Sequence, residues 1–407
     1  MSAPLLKEGH SVDLLQGGIE FFPALIAALD ASQHEVRLET YIFYFDTAGQ
    51  AIAEALERAA LRGVQVYLVM DAVGTAPIPD EWAHRFLQAH VRWHRFAPLG
   101  RWGLLPSSGW RRLHRKLCVV DHSVAFCGGI NVLDDYVDPS YGALESPRFD
   151  FSVRVQGPLV MDVHQTMLKF WDRLQITRQL EHLEFKDARL TWKQARQALR
   201  AKATAPIPVA AQPAHAGISA MLLLRDNLRN RTRIERAYRK AIATARQEVL
   251  IANAYFLPGG KLRTALIHAA KRGVRVRLLL QGRYEYFMQY HGARSALGAL
   301  LAAGIEIHEY AAGFLHAKVA VVDGHWATVG SSNLDPLSLL LAREANVVVS
   351  DAQFAQALRG RLEHAIQTEG VQLDAQTFAN RPWRQRLLDR LAFGVMRLLL
   401  YLSGRRY

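Results

Sequence analysis

The chain carries one pattern of polar residues twice. The pattern lies in two hairpin-like stretches whose first histidines, His114 and His316, stand 202 positions apart in 407 residues. The stretches are HRKLCVVDHSVAFCGGIN and HAKVAVVDGHWATVGSSN, and what precedes them is duplicated too. A helical stretch from Phe21 to Ser32 leads into EVRLETYIFYF, and a second helical stretch leads into RGVQVYLVMD. Later, Ile234 to Gln247 leads into EVLIANAYFLPG, and a helix then leads into RGVRVRLLLQG. Glu35-Val36 matches Glu248-Val249, Arg62-Gly63-Val64 matches Arg272-Gly273-Val274, and Tyr41 matches Tyr255 with a one-residue offset. β-branched runs between segments of helical period read as βαβ units around a mainly parallel sheet. Gly63 and Gly273 stand where a helix must stop and turn into a strand. A repeat of this size makes one supersecondary unit occur twice. The expected organisation is a first lobe over 1–201, an Ala/Pro-rich linker over 202–217, a second lobe over 218–370 and a basic tail over 371–407.

Both hairpins obey His-x-Lys-x(4)-Asp, then six residues, then Gly-(Gly/Ser)-x-Asn. The residues are His114, Lys116, Asp121 and Asn131 in the first, and His316, Lys318, Asp323 and Asn333 in the second. Residues i and i+2 of a strand share a face, so each histidine points the same way as its lysine. One such pair is commonplace on an exposed strand; the whole pattern recurring at identical spacing asks for a chemical account. A phosphodiester is protected by its own charge. Two lysines and two asparagines can neutralise and hold its oxygens. One imidazole can attack phosphorus to form a phosphohistidine, and the other can protonate the leaving alkoxide and then deprotonate the incoming hydroxyl. This chemistry calls for neither a metal nor another cofactor, and no Asp/Glu cluster of two-metal type accompanies the motif.

Each imidazole also needs a partner for its second nitrogen. Asp121 and Asp323 lie on the far side of the hairpin strand and are candidates both for catalysis and for a structural role. Asp150 and Glu344, each the single carboxylate of an apolar strand, are better placed as orienters. They follow His114 and His316 by 36 and 28 residues, which pairs each carboxylate with the histidine of its own half.

Fifty Lys and Arg against 37 Asp and Glu leave a net charge of +13, which points to an anionic partner: nucleic acid, a phospholipid surface or a phosphorylated substrate. Two cysteines, Cys118 and Cys127, are too few for a disulfide framework. A two-residue turn at His122-Ser123 would set them opposite each other and allow a bridge. Two small buried thiols in a reducing compartment is the favoured reading. The start, MSAPLLKEGHSVDLL, has no signal-peptide apolar region. The longest stretch without Asp, Glu, Lys or Arg (203–224) contains three prolines and reads as linker rather than membrane span.

The paired motifs resemble those of the phospholipase D superfamily, and the resemblance covers nearly the whole chain. LETYIFYF, IANAYFLPG, HWATVGSSNLDPLSL and EANVVV are similar to the bacterial cardiolipin synthase branch, most of all to its type without an N-terminal transmembrane pair. The resemblance implies an α/β fold: two similar α/β/α lobes related by a pseudo-two-fold, with mixed, mainly parallel sheets flanked by helices and one active site between them. It implies phosphatidyl transfer between two phosphatidylglycerols, with phosphatidylethanolamine as another substrate candidate. By the same resemblance His114 is the nucleophile, His316 the acid and base, and Lys116, Lys318, Asn131 and Asn333 bind phosphate. Asp150 and Glu344 orient the histidines. The expected location is peripheral, on a bacterial inner membrane, without a transmembrane helix. The residues alone leave water and alcohol equal as acceptors, so a phospholipase-type hydrolase remains the alternative. A nuclease is less favoured, because no nucleic-acid module is evident and no nucleic-acid partner is expected. Oligomeric state is not encoded legibly.

Two stretches suit lipid contact. In the tail RPWRQRLLDRLAFGVMRLLLYLSGRRY, Arg386, Arg390 and Arg397 share one helical face, and Leu387, Leu391, Val395, Leu398 and Leu402 form the opposite stripe. Seven arginines and one aspartate give the last 27 residues +6. The alternative for this segment is a core-packing terminal helix. The loop PLGRWGLLPSSGWRRLH, with Trp102 and Trp110 among arginines, is a second candidate, and Tyr284 to Tyr290 a third.

Overall fold

The computed structural model describes residues 5–98, 112–181, 217–226, 230–283, 287–335 and 342–402. The 202–217 linker (Gly217 apart), the Trp102–Trp110 loop and residues 284–286 lie outside these.

The first lobe opens with β1 (Lys7–Gln16) and α1 (Gly17–Asp30). It continues through β2 (Glu35–Thr40), α2 (Thr47–Leu61), β3 (Gln65–Asp71), α3 (Asp80–Gln88) and β4 (Arg92–Phe96). A short β5 (Arg112–Leu113) precedes the hairpin of β6 (Lys116–Val120) and β7 (Val124–Gly128). A small ribbon follows, β8 (Val137–Asp138) with β9 (Gly142–Ala143), then β10 (Phe151–Gln156) and α4 (Leu159–Glu181). The second lobe repeats this order. Its elements are β11 (Ile218–Arg225), α5 (Arg233–Thr244), β12 (Glu248–Asn253), α6 (Gly260–Lys271), β13 (Arg275–Gln281), α7 (Phe287–Leu301) and β14 (Glu306–Tyr310). The hairpin of β15 (Lys318–Val322) and β16 (Trp326–Gly330) is followed by β17 (Ala342–Ser350) and α8 (Ala352–Glu369). Then come β18 (Gly370–Gln372), α9 (Ala375–Ala379) and α10 (Trp383–Leu402). The second lobe thus runs past residue 370, because β18 adds an antiparallel edge strand to β14.

Outward from the centre the strands run β1-β10-β7-β6-β2-β3-β4 on one side and β11-β17-β16-β15-β12-β13-β14 on the other. The two orders correspond strand for strand, which is the pseudo-two-fold. Antiparallel pairing of β1 with β11 fuses the halves into one sheet. The sheet is mixed, with parallel pairing centred on β2-β3-β4 and β12-β13-β14. The hairpins and the strands after them run antiparallel, since a tight turn can join only antiparallel neighbours. The mainly parallel balance expected from the βαβ units therefore holds only in the outer part of each lobe. Gly63 and Gly273 adopt φ of +92° and +88° after α2 and α6, the left-handed helix stop that a side chain resists.

Period-two alternation explains the layers. Cys118 and Val120 of β6 face an outer core with α1, α2 and α3, whereas Leu117 and Val119 face a central core. In the second lobe Val249 and Ile251 of β12 join an outer core, and Leu250 and Ala252 the central one. The central core takes α4 and α8 and side chains of both lobes, so the halves share buried apolar surface as well as a sheet.

The cysteines are both free and buried. The hairpin pairs Val120 with Val124 across a loop of Asp121, His122 and Ser123, so Cys127 opposes Leu117 and Cys118 opposes Phe126. A one-residue change of register moves a side chain to the other face, and the two thiols point into different cores. The bridge that a two-residue turn would allow is therefore excluded.

Candidate active site

The two histidines occupy equivalent places, just ahead of β6 and β15, and each is held by backbone of the other lobe. Residues 112–114 run parallel to the start of β17: Arg112 pairs with Ala342, Leu113 with Arg343, and the His114 N–H donates to the Arg343 carbonyl at 3.1 Å. The fully buried Asp71 steadies this segment, accepting the Leu113 N–H at 2.7 Å and Arg112 Nη1 at 3.1 Å. The matching stretch does the same against residues 148–150. There the Phe149 N–H donates to the Phe314 carbonyl and the His316 N–H to the Phe149 carbonyl, both at 2.9 Å.

This pairing exchanges the carboxylates. Glu344 and Asp150 each stand one residue beyond the carbonyl that accepts the histidine N–H. His114 Nδ1 lies 3.1 Å from Glu344 Oε2, and His316 Nδ1 lies 2.6 Å from Asp150 Oδ2. Sequence proximity had set Asp150 with His114 and Glu344 with His316. The structure reverses both, because each histidine segment pairs across the lobe boundary. With Nδ1 engaged by a carboxylate, each ring keeps Nε2 for chemistry.

The surroundings of the two carboxylates differ in detail. Ser331 donates its hydroxyl to Glu344 Oε2 at 2.5 Å. At the matching position a side chain on Gly129 would collide with the Asp150 carboxylate, so glycine is required for the shorter carboxylate to sit there. Burial pushes Asp150 up to about 6, against the pull of Lys318. Burial also pushes Glu344 up, but His114 and Lys116 outweigh it and hold Glu344 below the ordinary carboxylate value.

Lys116 and Lys318 are buried at the starts of β6 and β15, and each ammonium donates to the carbonyl of its own histidine, at 2.8 Å for Lys116. Burial drives Lys116 down to about 7, and Lys318 across the site adds repulsion. Burial lowers the His114 pKa, with both lysines contributing. His316 is driven well below its ordinary value by burial, then Lys318, Lys116 and Arg148. Each lysine acts on both imidazoles, so the two motifs form one electropositive site. Asn131 and Asn333 are buried beyond β7 and β16. Asn131 spends its carbonyl oxygen on the Ile42 N–H at 3.1 Å, which leaves its NH₂ as a donor.

Asp121 and Asp323 stand at the other end of the hairpins. Asp121 accepts the N–H groups of Gln33, His34 and Glu35 at 2.7–2.8 Å; Asp323 accepts those of Arg246, Gln247 and Glu248 at 2.8–2.9 Å. Both carboxylates tie a helix-to-strand junction to the hairpin turn, about five strand residues, or ~17 Å, from the imidazoles. Sequence reasoning held Ser331 only as a position of the repeated pattern, and it missed Asp71 and Tyr41, whose ring lies 4.9 Å from that of His114. The Tyr41–Tyr255 match was the available signal for the last.

The family model described as "Cardiolipin synthase, PLD-like domain" matches residues 25–143 and 238–366, one segment in each lobe. The chain belongs to that family. It is 37% identical over 399 residues to Cardiolipin synthase B of Escherichia coli K12, covering 98% of this chain and 90% of that one. It is 29% identical to the cardiolipin synthase of Geobacillus thermodenitrificans, covering 92% and 70%. The fold is similar to that of phosphatidylserine synthase from Haemophilus influenzae, with a TM-score of 0.66 at 15% identity over 98% of this chain and 97% of that one.

Proposed function

We propose that this member of the family is a phosphatidyltransferase that makes cardiolipin from two phosphatidylglycerol molecules. The observation that carries this is the pair of half-buried imidazoles, one from each lobe, with carboxylates on Nδ1 and two buried lysines beside them. His114 Nε2 attacks phosphorus, the phosphorus–glycerol bond breaks, and imidazolium His316 gives its proton to the leaving oxygen, releasing glycerol. Neutral His316 then takes the proton of a second phosphatidylglycerol's hydroxyl, whose oxygen attacks phosphorus as the His114–phosphorus bond breaks. Both imidazoles return to their starting states. In the empty site burial and the lysines lower both rings and so favour their neutral form. The bound phosphodiester brings the negative charge that favours imidazolium at the acid. Lys116, Lys318, Asn131 and Asn333 hold the non-bridging oxygens, and Asp121 and Asp323 keep the hairpins in place. Mass spectrometry of products from phosphatidylglycerol vesicles should find cardiolipin and free glycerol in equal amounts. Phosphatidic acid in place of cardiolipin would instead establish a hydrolase.

Membrane attachment is assigned to α10, peripherally and on an anionic leaflet such as a bacterial inner membrane. Among the described residues no helix is long and apolar enough to cross a membrane. One face of α10 is tied to the second lobe, where Asp389 receives His291 Nδ1 at 2.7 Å and Arg381 at 3.1 Å. Other side chains of its first half point outward: Trp383 is 64% and Leu391 57% exposed, with Leu387 and Val395 also exposed beside Arg384, Arg386 and Arg390. Apolar residues flanked by arginines suit a helix lying in the interface. At ~1 kcal/mol per arginine near an anionic surface, Arg386→Ala with Arg390→Ala should weaken vesicle binding about 30-fold. Flotation with phosphatidylglycerol vesicles measures this, and unchanged binding would remove α10 from the attachment surface.

A further inference from the structure

The turn of the first hairpin carries a cluster that the phosphoryl chemistry does not use. Glu35 opens β2, His122 sits in the β6–β7 loop and His164 lies in the second turn of α4. His164 Nε2 is 2.8 Å from Glu35 Oε1, His122 Nε2 is 3.3 Å from the same oxygen, and the two Nε2 atoms are 3.0 Å apart. His164 is almost wholly buried, and Glu35 and His122 are half-buried. Two nitrogens this close have room for one proton between them, yet three lone-pair atoms converge.

The second lobe is an internal control. There Glu248, the counterpart of Glu35, is held by two arginines, Arg277 and Arg359, and the loop position of His122 is Gly324. Gly324 takes φ of +65°, and His122 takes +55°, a left-handed conformation that most side chains resist. The first lobe therefore places histidine where the fold favours glycine, and a second histidine opposite it. Arg37 holds Glu35 from the other side, Nη2 to Oε2 at 2.6 Å and Nε to Oε1 at 2.8 Å, which orients the carboxylate and leaves Oε1 facing the imidazoles.

We propose that Glu35, His122 and His164 form a site for a divalent transition ion, zinc by preference, that staples the hairpin turn to α4. Two imidazole nitrogens and one carboxylate oxygen are ligands that zinc accepts, with water at the fourth position. For these separations, a point about 2.1 Å from all three atoms exists roughly 1 Å off their plane, which fits the usual bond lengths. The site lies at the end of the hairpin away from His114, so its role is structural.

The test uses the full chain, stripped with a chelator, desalted and titrated with Zn²⁺, with retained metal counted by mass spectrometry after gel filtration. One zinc per chain is expected, together with a rise of a few degrees in Tm on adding zinc. His122→Gly restores the turn residue of the second lobe and so keeps the fold. It should weaken zinc at least about 100-fold and abolish the Tm rise. His164→Gln should do the same. The proposal fails if the native chain retains no zinc above the buffer blank, or if His122→Gly retains as much zinc as the native chain with equal affinity.

Discussion

His114→Ala is expected to lower cardiolipin formation by about 10⁴-fold or more, because in the proposed mechanism it removes the atom that bonds to phosphorus. His316→Ala should be similarly slow on phosphatidylglycerol, for a different reason: the leaving alkoxide then departs without a proton. A substrate with an activated leaving group separates the two. With a nitrophenyl phosphodiester of phosphatidic acid, departure needs no acid. His316→Ala should then release one nitrophenolate per site in a burst and retain the phosphatidyl group on His114, visible in the intact mass. His114→Ala should show neither. A burst in His114→Ala alone would exchange the two roles, and a burst in neither would remove the covalent intermediate. The local electrostatics prepare both rings in the same way, since burial and the two lysines lower each of them. What differs is the carboxylate behind each ring: Glu344 is held in its ionised form by His114 and Lys116 against burial, while burial pushes Asp150 up to about 6. A firmly ionised partner makes His114 the better electron donor.

Glu344→Gln is expected to slow turnover by about 10²–10⁴-fold with little change of shape, by analogy with removal of the histidine-orienting carboxylate in other nucleophilic enzymes. The exchange of partners across the lobes makes this variant informative. Glu344 follows His316 in sequence but contacts His114, so Glu344→Gln should slow the burst itself. Asp150→Asn, whose carboxylate contacts His316, should leave the burst with the activated substrate and impair the steps that need an acid or base. Rapid-quench measurement of burst rate against steady-state rate checks this. If Glu344→Gln spares the burst and Asp150→Asn abolishes it, the pairing within each lobe is restored. Ser331, which donates to Glu344, should contribute a smaller part of the same effect.

Much of this was legible in the chain. The repeated hairpin, the βαβ units before it and the helix stops at Gly63 and Gly273 are local patterns. Local patterns survive translation into strands and turns because side-chain alternation and left-handed glycine caps depend on a few neighbouring residues. The repeated spacing also singled out His114, Lys116, His316 and Lys318, each histidine standing just ahead of the strand that its lysine opens. The hairpin loop has three residues, one more than the turn that would set Cys118 opposite Cys127, and the two thiols stay free in separate cores, as the favoured reading has it. The proportion of parallel pairing was misjudged, since spacing does not show that the strands beyond each hairpin run antiparallel.

The sequence by itself determined a duplicated α/β chain with two copies of one His-Lys-Asp-Asn pattern and a basic, amphipathic end. Tertiary structure alone decided which carboxylate serves which histidine, because residues 112–114 pair with 342–344 and residues 314–316 with 148–150, more than 160 positions apart in each case. It also decided that Glu35, His122 and His164 meet, from a strand, a loop and a helix that share no spacing rule. And it decided which face of α10 stays exposed once Asp389 has turned the other toward the second lobe. Backbone pairing and helix docking between distant segments set all three, and no short-range periodicity carries that information.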